Sequence, residues 1–304
     1  MTRPEAIPVS VIGGYLGAGK TTLVNHLLRH ADGLRFAVLV NEFGDLSIDA
    51  DLIEADDGDM IAIAGGCICC SYGSDLMAAL MELPQRLPNM DAVLIEASGV
   101  ALPGGIVSAL SLLPEYALDA VLVVADAETI LERAQDRYLA DTITRQLADA
   151  DIIIVNKDDL IAPARRDAIT AFLNTSAKHA RVLSTQHAHA PLSALTGLRL
   201  ARPAQQRDSS AHFESNGFIT ITLIPSVALQ AEHVAQQLAR AEAGLMRAKG
   251  FVRTAAGELM TIQVVGQRYS VTPAPAGVRP GIVCIGARAD VNHDLIRNSV
   301  IPNI

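Results

Sequence analysis

Four short stretches of this sequence carry side chains that could do chemistry. The first is Gly14-Tyr15-Leu16-Gly17-Ala18-Gly19-Lys20-Thr21, followed by Thr22, which fits the spacing G-x-x-x-x-G-K-[ST]. A glycine-rich bend entering a helix lets successive backbone N–H groups turn inward around an anion. Here they would come from Gly14, Leu16, Gly17, Ala18, Gly19, Lys20, Thr21 and Thr22. The start of the helix adds its own partial positive charge. Lys20 can reach the β- and γ-phosphates of a nucleotide, and the Thr21 hydroxyl can ligate Mg²⁺. A plain turn between strand and helix would not require Lys-Thr after its last glycine. The second stretch is Ala92-Val93-Leu94-Ile95-Glu96-Ala97-Ser98-Gly99. It reads as an apolar strand ending in a carboxylate. Glu96 would serve the Mg²⁺ directly or through a water, and the Gly99 amide could bond the γ-phosphate and sense its loss. Lys20, Thr21, Glu96 and Gly99 form the expected catalytic set.

The third stretch names the base. Ile152-Ile153-Ile154-Val155 leads into Asn156-Lys157-Asp158-Asp159, an N-K-x-D pattern at a strand end. A carboxylate at Asp159 accepts from both N1–H and the exocyclic amine of guanine, whereas adenine would leave it unpaired. The Lys157 stem can pack over the base, and Asn156 can tie the base loop to the phosphate loop. Thr185, in Ser184-Thr185-Gln186, could offer backbone N–H to the guanine carbonyl. Ser176-Ala177-Lys178 imitates a guanine-loop tripeptide, but it falls at a helix tail and is read as coincidence.

The fourth is Gly65-Gly66-Cys67-Ile68-Cys69-Cys70. Three thiols in four positions form a soft-metal site by spacing, with one coordination position left for a carboxylate, water or substrate. Incomplete coordination suits transfer of a metal better than storage. Glu42, in Asn41-Glu42-Phe43-Gly44, could be the extra ligand. Buried inert cysteines and a Cys67–Cys70 redox pair are the competing readings. Cys284, alone on an expected strand, reads as core. His187 and His189 are read as polar loop histidines, and the acidic run 54–59 as a solvated turn.

These residues need a frame. From residue 1 to about 200, expected strands at 7–12, 36–40, 60–64, 92–95, 120–125, 152–155 and 181–183 alternate with helical patterns, including 75–87 and 128–147. That alternation implies βαβ units and a mostly parallel sheet buried on both faces. Residues 201–211 lose apolar periodicity and read as a linker. Beyond them come expected strands at 218–224, 251–254, 261–265, 269–272 and 282–285. A helix capped by Ser226 would run to about 243, and a last helix over 290–298. The fold class is α/β, a P-loop NTPase with a mostly parallel sheet flanked by helices (1–200), then a small α+β C-terminal domain (212–304). A net charge of −9 over 304 residues argues against a nucleic-acid surface. No stretch approaches the roughly 20 apolar residues of a membrane span. No secretion signal is visible and the four cysteines do not pair like a disulfide framework, so a cytoplasmic location is expected.

Taken in order, these motifs resemble the CobW-type P-loop GTPases, relatives of the UreG and HypB nickel chaperones. Gln146-Leu147 and, near the C-terminus, Arg247-Ala248-Lys249-Gly250-Phe251 add to the likeness. The resemblance covers nearly the whole chain, and the C-x-C-C after two glycines is its most specific mark. It implies GTP hydrolysis to GDP coupled to binding of a transition metal, zinc or cobalt, and its delivery to a client metalloprotein or cofactor-biosynthesis enzyme. It leaves room for a nucleotide- or metal-dependent homodimer. The stretch Asp45-Leu46-Ser47-Ile48-Asp49 departs from the family pattern, and the long histidine-rich segment of many members is absent, as is tryptophan. No water-orienting group stands out, so slow intrinsic turnover is expected. A P-loop kinase or ATPase, a nucleotide-gated activator without metal delivery and a thiol redox sensor are the alternatives.

Overall fold

A computed structural model of the chain describes residues 6–31, 33–41, 60–63, 74–198 and 217–300. It divides into two compact units, Met1–Leu192 and Ser193–Ile304.

In the first unit the β-branched and aliphatic runs become strands: β1 (Ile7–Gly13), β2 (Phe36–Asn41), β3 (Met60–Ile63), β4 (Ala92–Glu96), β5 (Tyr116–Asp126), β6 (Ile152–Asn156) and β7 (Arg181–Ser184). They form one sheet in the order β3-β2-β4-β1-β5-β6-β7, and every pairing is parallel. All five residues of β4 and all five of β6 are buried. An alternating strand would expose one face, so continuous burial requires cover on both. Helix α1 (Lys20–Arg29) packs on β4, while α2 (Ser74–Arg86) packs on β3 and α3 (Pro103–Leu110) on β1 and β5. Leu76, Leu80 and Leu83 of α2 recur at helical spacing and meet Val9, Val11, Val93 and Ile95 in one apolar cluster. A second cluster joins Val121, Val123, Ile153 and Val155 to Ile143, Leu147, Ile169 and Leu173. Register places the functional ends side by side. Ile12 pairs with Glu96, and Asp126 with Asn156.

The expected helix 128–147 is two helices, α4 (Ile130–Gln135) and α5 (Ala140–Ala148). The break lies at Asp136, whose backbone is extended (ψ 132°). Its Oδ1 accepts from the amides of Tyr138 and Leu139 at 2.8 and 3.2 Å. A short acidic side chain that offers the backbone an alternative partner ends a helix from within. Helix α6 (Pro163–Ser176) begins with proline in its first turn, where the missing N–H costs nothing. A short α7 (Leu192–Leu195) lies at the division between the units. Among the described residues no helix is long and apolar enough to cross a membrane.

The second unit holds β8 (Phe218–Leu223), α8 (Ala231–Ala239), β9 (Leu245–Arg253), β10 (Leu259–Val265), β11 (Arg268–Pro273), β12 (Gly281–Ala287) and α9 (His293–Asn298). The sheet order is β11-β10-β9-β12-β8, antiparallel throughout, with α8 across β9, β10 and β11. Val234, Ala235 and Leu238 of α8 fill its core together with Val252, Ile262, Val264 and Cys284. Burial pushes the Cys284 thiol up to about 12, so it stays a protonated core residue. Ser226 does not cap α8. The helix starts five residues later because the Leu229 amide is held in extended chain by the carbonyl of Arg253 at 2.8 Å. Arg247 is almost wholly buried and donates to the carbonyls of Ala194 and Leu195 in the same unit.

Candidate functional site

The carboxyl ends of β1, β4, β5, β6 and β7 meet on one edge of the parallel sheet, which is where open α/β sheets bind ligands. β1 feeds directly into the bend 14–19, and α1 begins at Lys20. The bend is closed by the Ala18 amide on the carbonyl of Tyr15 at 3.2 Å. Gly19 takes φ +106°, and a Cβ there would stand 2.4 Å from Nδ2 of Asn156. Only glycine fits that backbone and that neighbour together. Lys20 is buried, its stem within the first turn of α1. Beside it, the Thr21 hydroxyl donates to Oε1 of the buried Glu96 at 2.9 Å. A hydroxyl and a carboxylate held together at an anion cradle are the hard oxygen donors that suit Mg²⁺. The side chain of Leu16 covers Gly99 so closely that a Cβ at Gly99 would lie 2.5 Å from its Cδ2. Ser98 Oγ is buried there and has no hydrogen-bond partner among the described residues.

At the base end, Asn156 bridges two loops. Its Nδ2 donates to the carbonyl of Ala18 at 3.0 Å, and its Oδ1 accepts from the Ala188 amide at 2.7 Å. Lys157 follows in the left-handed conformation (φ 64°), and Asp158–Leu160 form one 3₁₀ turn. Asp158 faces away into a two-pronged ion pair with Arg166, at 2.7 and 2.8 Å. Asp159 is exposed and has no partner among the described residues. Its carboxylate is therefore available to a ligand. Within Ser184-Thr185-Gln186, Thr185 itself does not have a free N–H to offer. Its amide is already spent on the carbonyl of Val155 at 2.8 Å, whereas its hydroxyl is buried and has no partner among the described residues. The non-glycine residues of positive φ among the described residues are Lys157, His187 and Ala188. All three surround this base loop, and such strain persists only where neighbours hold it.

Removing the Asn156 amide tests that holding. Asn156→Ala leaves the Ala188 N–H and the Ala18 carbonyl unpaired, which costs about 2–6 kcal/mol at about 1–3 kcal/mol per group. The expected result is a lower urea midpoint at unchanged m-value, together with weaker nucleotide binding.

Three positioning residues were not legible in sequence as such. Asp126, buried at the end of β5, pairs with Nζ of Lys157 at 2.7 Å and accepts from the Glu128 amide at 2.9 Å, so it sets the direction of the Lys157 stem. Gln146 on α5 donates to the carbonyls of Gly99 and Ala101 at 3.1 and 2.8 Å and fixes the loop after Glu96. Arg133 on α4 donates to the carbonyl of Leu16 at 3.0 Å and lies over the ring of Tyr15, 4.7 Å from its centre. Apart from the Glu128 amide, these contacts join residues 31 to 118 positions apart, which no local spacing reveals.

The expected transition-metal ligands Glu42, Cys67, Cys69 and Cys70 lie outside the described residues. Among the described residues, no group of three or more His, Cys, Asp or Glu could hold a metal ion. The described ends that lead to them are placed, however. Val40 pairs with Glu96 and Asn41 with Ile63, so β2 and β3 finish on the same edge as the Thr21–Glu96 pair.

Residues 8–184 match the family model for the CobW/HypB/UreG nucleotide-binding domain, and residues 218–300 match the cobalamin synthesis protein cobW C-terminal domain. The chain is 33% identical over 225 residues to the zinc chaperone CobW of Pseudomonas aeruginosa, covering 63% of this chain and 60% of that one. It is 34% identical over 225 residues to the zinc chaperone YeiR of Escherichia coli, covering 70% and 66%. The match thus spans less than two thirds of either relative's length. Among solved structures it is similar to Zn(II)-bound YjiA GTPase from E. coli, with 24% identity, TM-score 0.48, and coverage of 97% of this chain and 98% of that one. With a family model matched over more than half of the chain, and the glycine-rich bend and the Asn156–Asp159 turn on one sheet edge, the chain belongs to the CobW/HypB/UreG family.

Proposed function

We propose that this chain is a GTP-hydrolysing metallochaperone of the cytoplasm. In this reading it passes a transition metal, zinc before cobalt, to a client metalloprotein or cofactor-biosynthesis enzyme. The supporting observation is the Asn156 bridge. One side chain joins the phosphate loop to the loop beyond β7, and the exposed carboxylate of Asp159 stands three residues on. The two relatives described above are zinc chaperones, which supports zinc as the cargo.

In this reading the amides of residues 14–22 and the Lys20 ammonium hold the phosphates and oppose the charge that develops on them. Gly99 reports the γ-phosphate, held in place by Gln146 through its carbonyl. Asp159 reads the base, with Thr185 in the loop beside it. Thr21 and Glu96 would hold Mg²⁺, which when bound supplies charge neutralisation at the phosphates. The zinc cargo would bind the thiolates of Cys67, Cys69 and Cys70 with Glu42 as a fourth ligand. The domain limits proposed are 1–200 and 212–304.

Coupling between nucleotide and cargo is measured by titrating Zn²⁺ into the full chain with GDP, with Mg²⁺ and a non-hydrolysable GTP analogue, and without nucleotide. Affinity should differ between the two nucleotide states by about 5- to 150-fold, the usual range of a coupling free energy. The triple variant Cys67→Ser, Cys69→Ser, Cys70→Ser should lose both the tight site and its nucleotide dependence. Equal zinc affinity in all three states would sink the coupling.

A further inference from the structure

Four imidazoles gather beside the base loop. His26 and His30 lie one turn apart at the end of α1, with ring centres 4.3 Å apart. His189, from the loop after β7, stacks on His26 at 4.8 Å and 27°, and His187 stands 6.0 Å from His189. His26 Nε2 is 2.8 Å from the carbonyl oxygen of Ala190. A carbonyl can only accept, so that nitrogen carries the proton and donates. The same loop holds Thr185, and its His187 and Ala188 are left-handed. Between them, Ala188 is tied to Asn156 and Ala190 to His26.

We propose that His26 is a positioning residue for the base-binding loop: it fastens the strained segment 185–190 to the helix that begins at Lys20, so that the base end and the phosphate end of the site are set by one element. This rests on the guanine-nucleotide reading above. Two side chains tie the strained stretch: the Asn156 amide oxygen on the Ala188 amide, and an imidazole 164 residues from its partner Ala190.

The tie is built for a neutral ring. Among the described residues, His26 faces His30 and Arg29 on its own helix and His189 on the loop. All are bases, and no carboxylate is among them. Burial first, and these neighbours after it, hold the His26 pKa below 6.5; the Ala190 carbonyl acts the other way and does not cancel them. A group with a lowered pKa in the tied state gives its full contribution above 6.5. It loses that contribution as pH falls from there through the lowered value. Acid should therefore loosen the loop and weaken nucleotide binding.

The test is calorimetric titration of the full chain with GDP, with ADP as control, at pH 7.5 and 5.5, alongside steady-state GTP hydrolysis. His26→Ala should raise the GDP Kd and the GTP KM about three- to tenfold at pH 7.5, the worth of one net hydrogen bond, and leave kcat within about twofold. His26→Gln keeps an N–H donor but does not titrate. It should restore affinity and remove the weakening that the wild type shows at pH 5.5. The inference is overturned by an unchanged Kd in His26→Ala, by kcat falling with the affinity, or by a pH effect that survives in His26→Gln. A wild type that binds ADP as tightly as GDP would overturn the guanine reading and this inference together. A guanine-selective wild type with an unresponsive His26 overturns the inference alone.

Discussion

Asp159→Asn is expected to weaken GTP and GDP binding by about 10⁴-fold while admitting xanthine nucleotides. The reason is a reversal of hydrogen-bond sense. Guanine offers two donors on one edge, N1–H and the exocyclic amine, and a carboxylate accepts both. An amide at the same place must point one donor at a donor. A site built around hydrogen bonds rejects a mismatched partner by about 10⁴–10⁵-fold, because the buried group is left unpaired. Xanthine carries a carbonyl where guanine carries the amine, so it accepts what asparagine donates. The structure favours a clean result. Asp159 is exposed and bonded to nothing among the described residues, whereas its neighbour Asp158 is the residue that anchors the turn through Arg166. The substitution should leave stability within about 0.5 kcal/mol, as surface changes do. Competitive binding of GDP, XDP and ADP decides it. If Asp159→Asn still prefers GDP, the base is read elsewhere.

Lys20→Ala should reduce kcat/KM for GTP by about 10²–10³-fold, the typical loss when one preorganised group facing developing charge is removed. Lys20 is buried at the first turn of α1, so its ammonium is aimed by packing. Lys20→Arg should not restore the rate, since a planar guanidinium cannot occupy the place of a compact ammonium on a flexible stem. Single-turnover hydrolysis with excess protein reads the chemical step apart from product release. A rate unmoved by Lys20→Ala would mark the chain as a nucleotide-gated binding module, with hydrolysis incidental.

Sequence revealed the sheet more readily than its edges or its ties. Strands β4 and β6 are uninterrupted apolar runs because both faces are covered, and such runs need no partner to be seen. β9 was caught only at its end, 251–254. Its first half, Leu245-Met246-Arg247-Ala248-Lys249-Gly250, mixes residues poor in β-propensity, and antiparallel pairing with β10 and β12 decides the matter. The single helix expected over 128–147 ignored Asp136, whose local hydrogen bonds outweighed the periodicity around it. At the site, Gly14, Lys20, Thr21, Glu96, Asn156 and Asp159 stood out because their roles go with short contiguous spacing. Asp126, Arg133 and His26 have no such signature, and Gln146 stands out only within the family likeness. Each acts on a residue that only the folded sheet brings within reach.

The central place of β1 has a consequence for how the chain is made. β1 lies between β4 and β5, strands that begin about 80 and about 100 residues further along. The base strands β6 and β7 come later still. A ribosome adding roughly 5–20 residues per second takes about 10–35 seconds to go from the end of β1 to the loop at Ala190. During that interval the phosphate loop exists as sequence but not as a cradle. A ligand that binds only the finished site can stabilise only a finished domain. Nucleotide capture by nascent chains of increasing length should therefore switch on in one step, after the His26 partner has emerged, and would mark the moment at which the first unit closes.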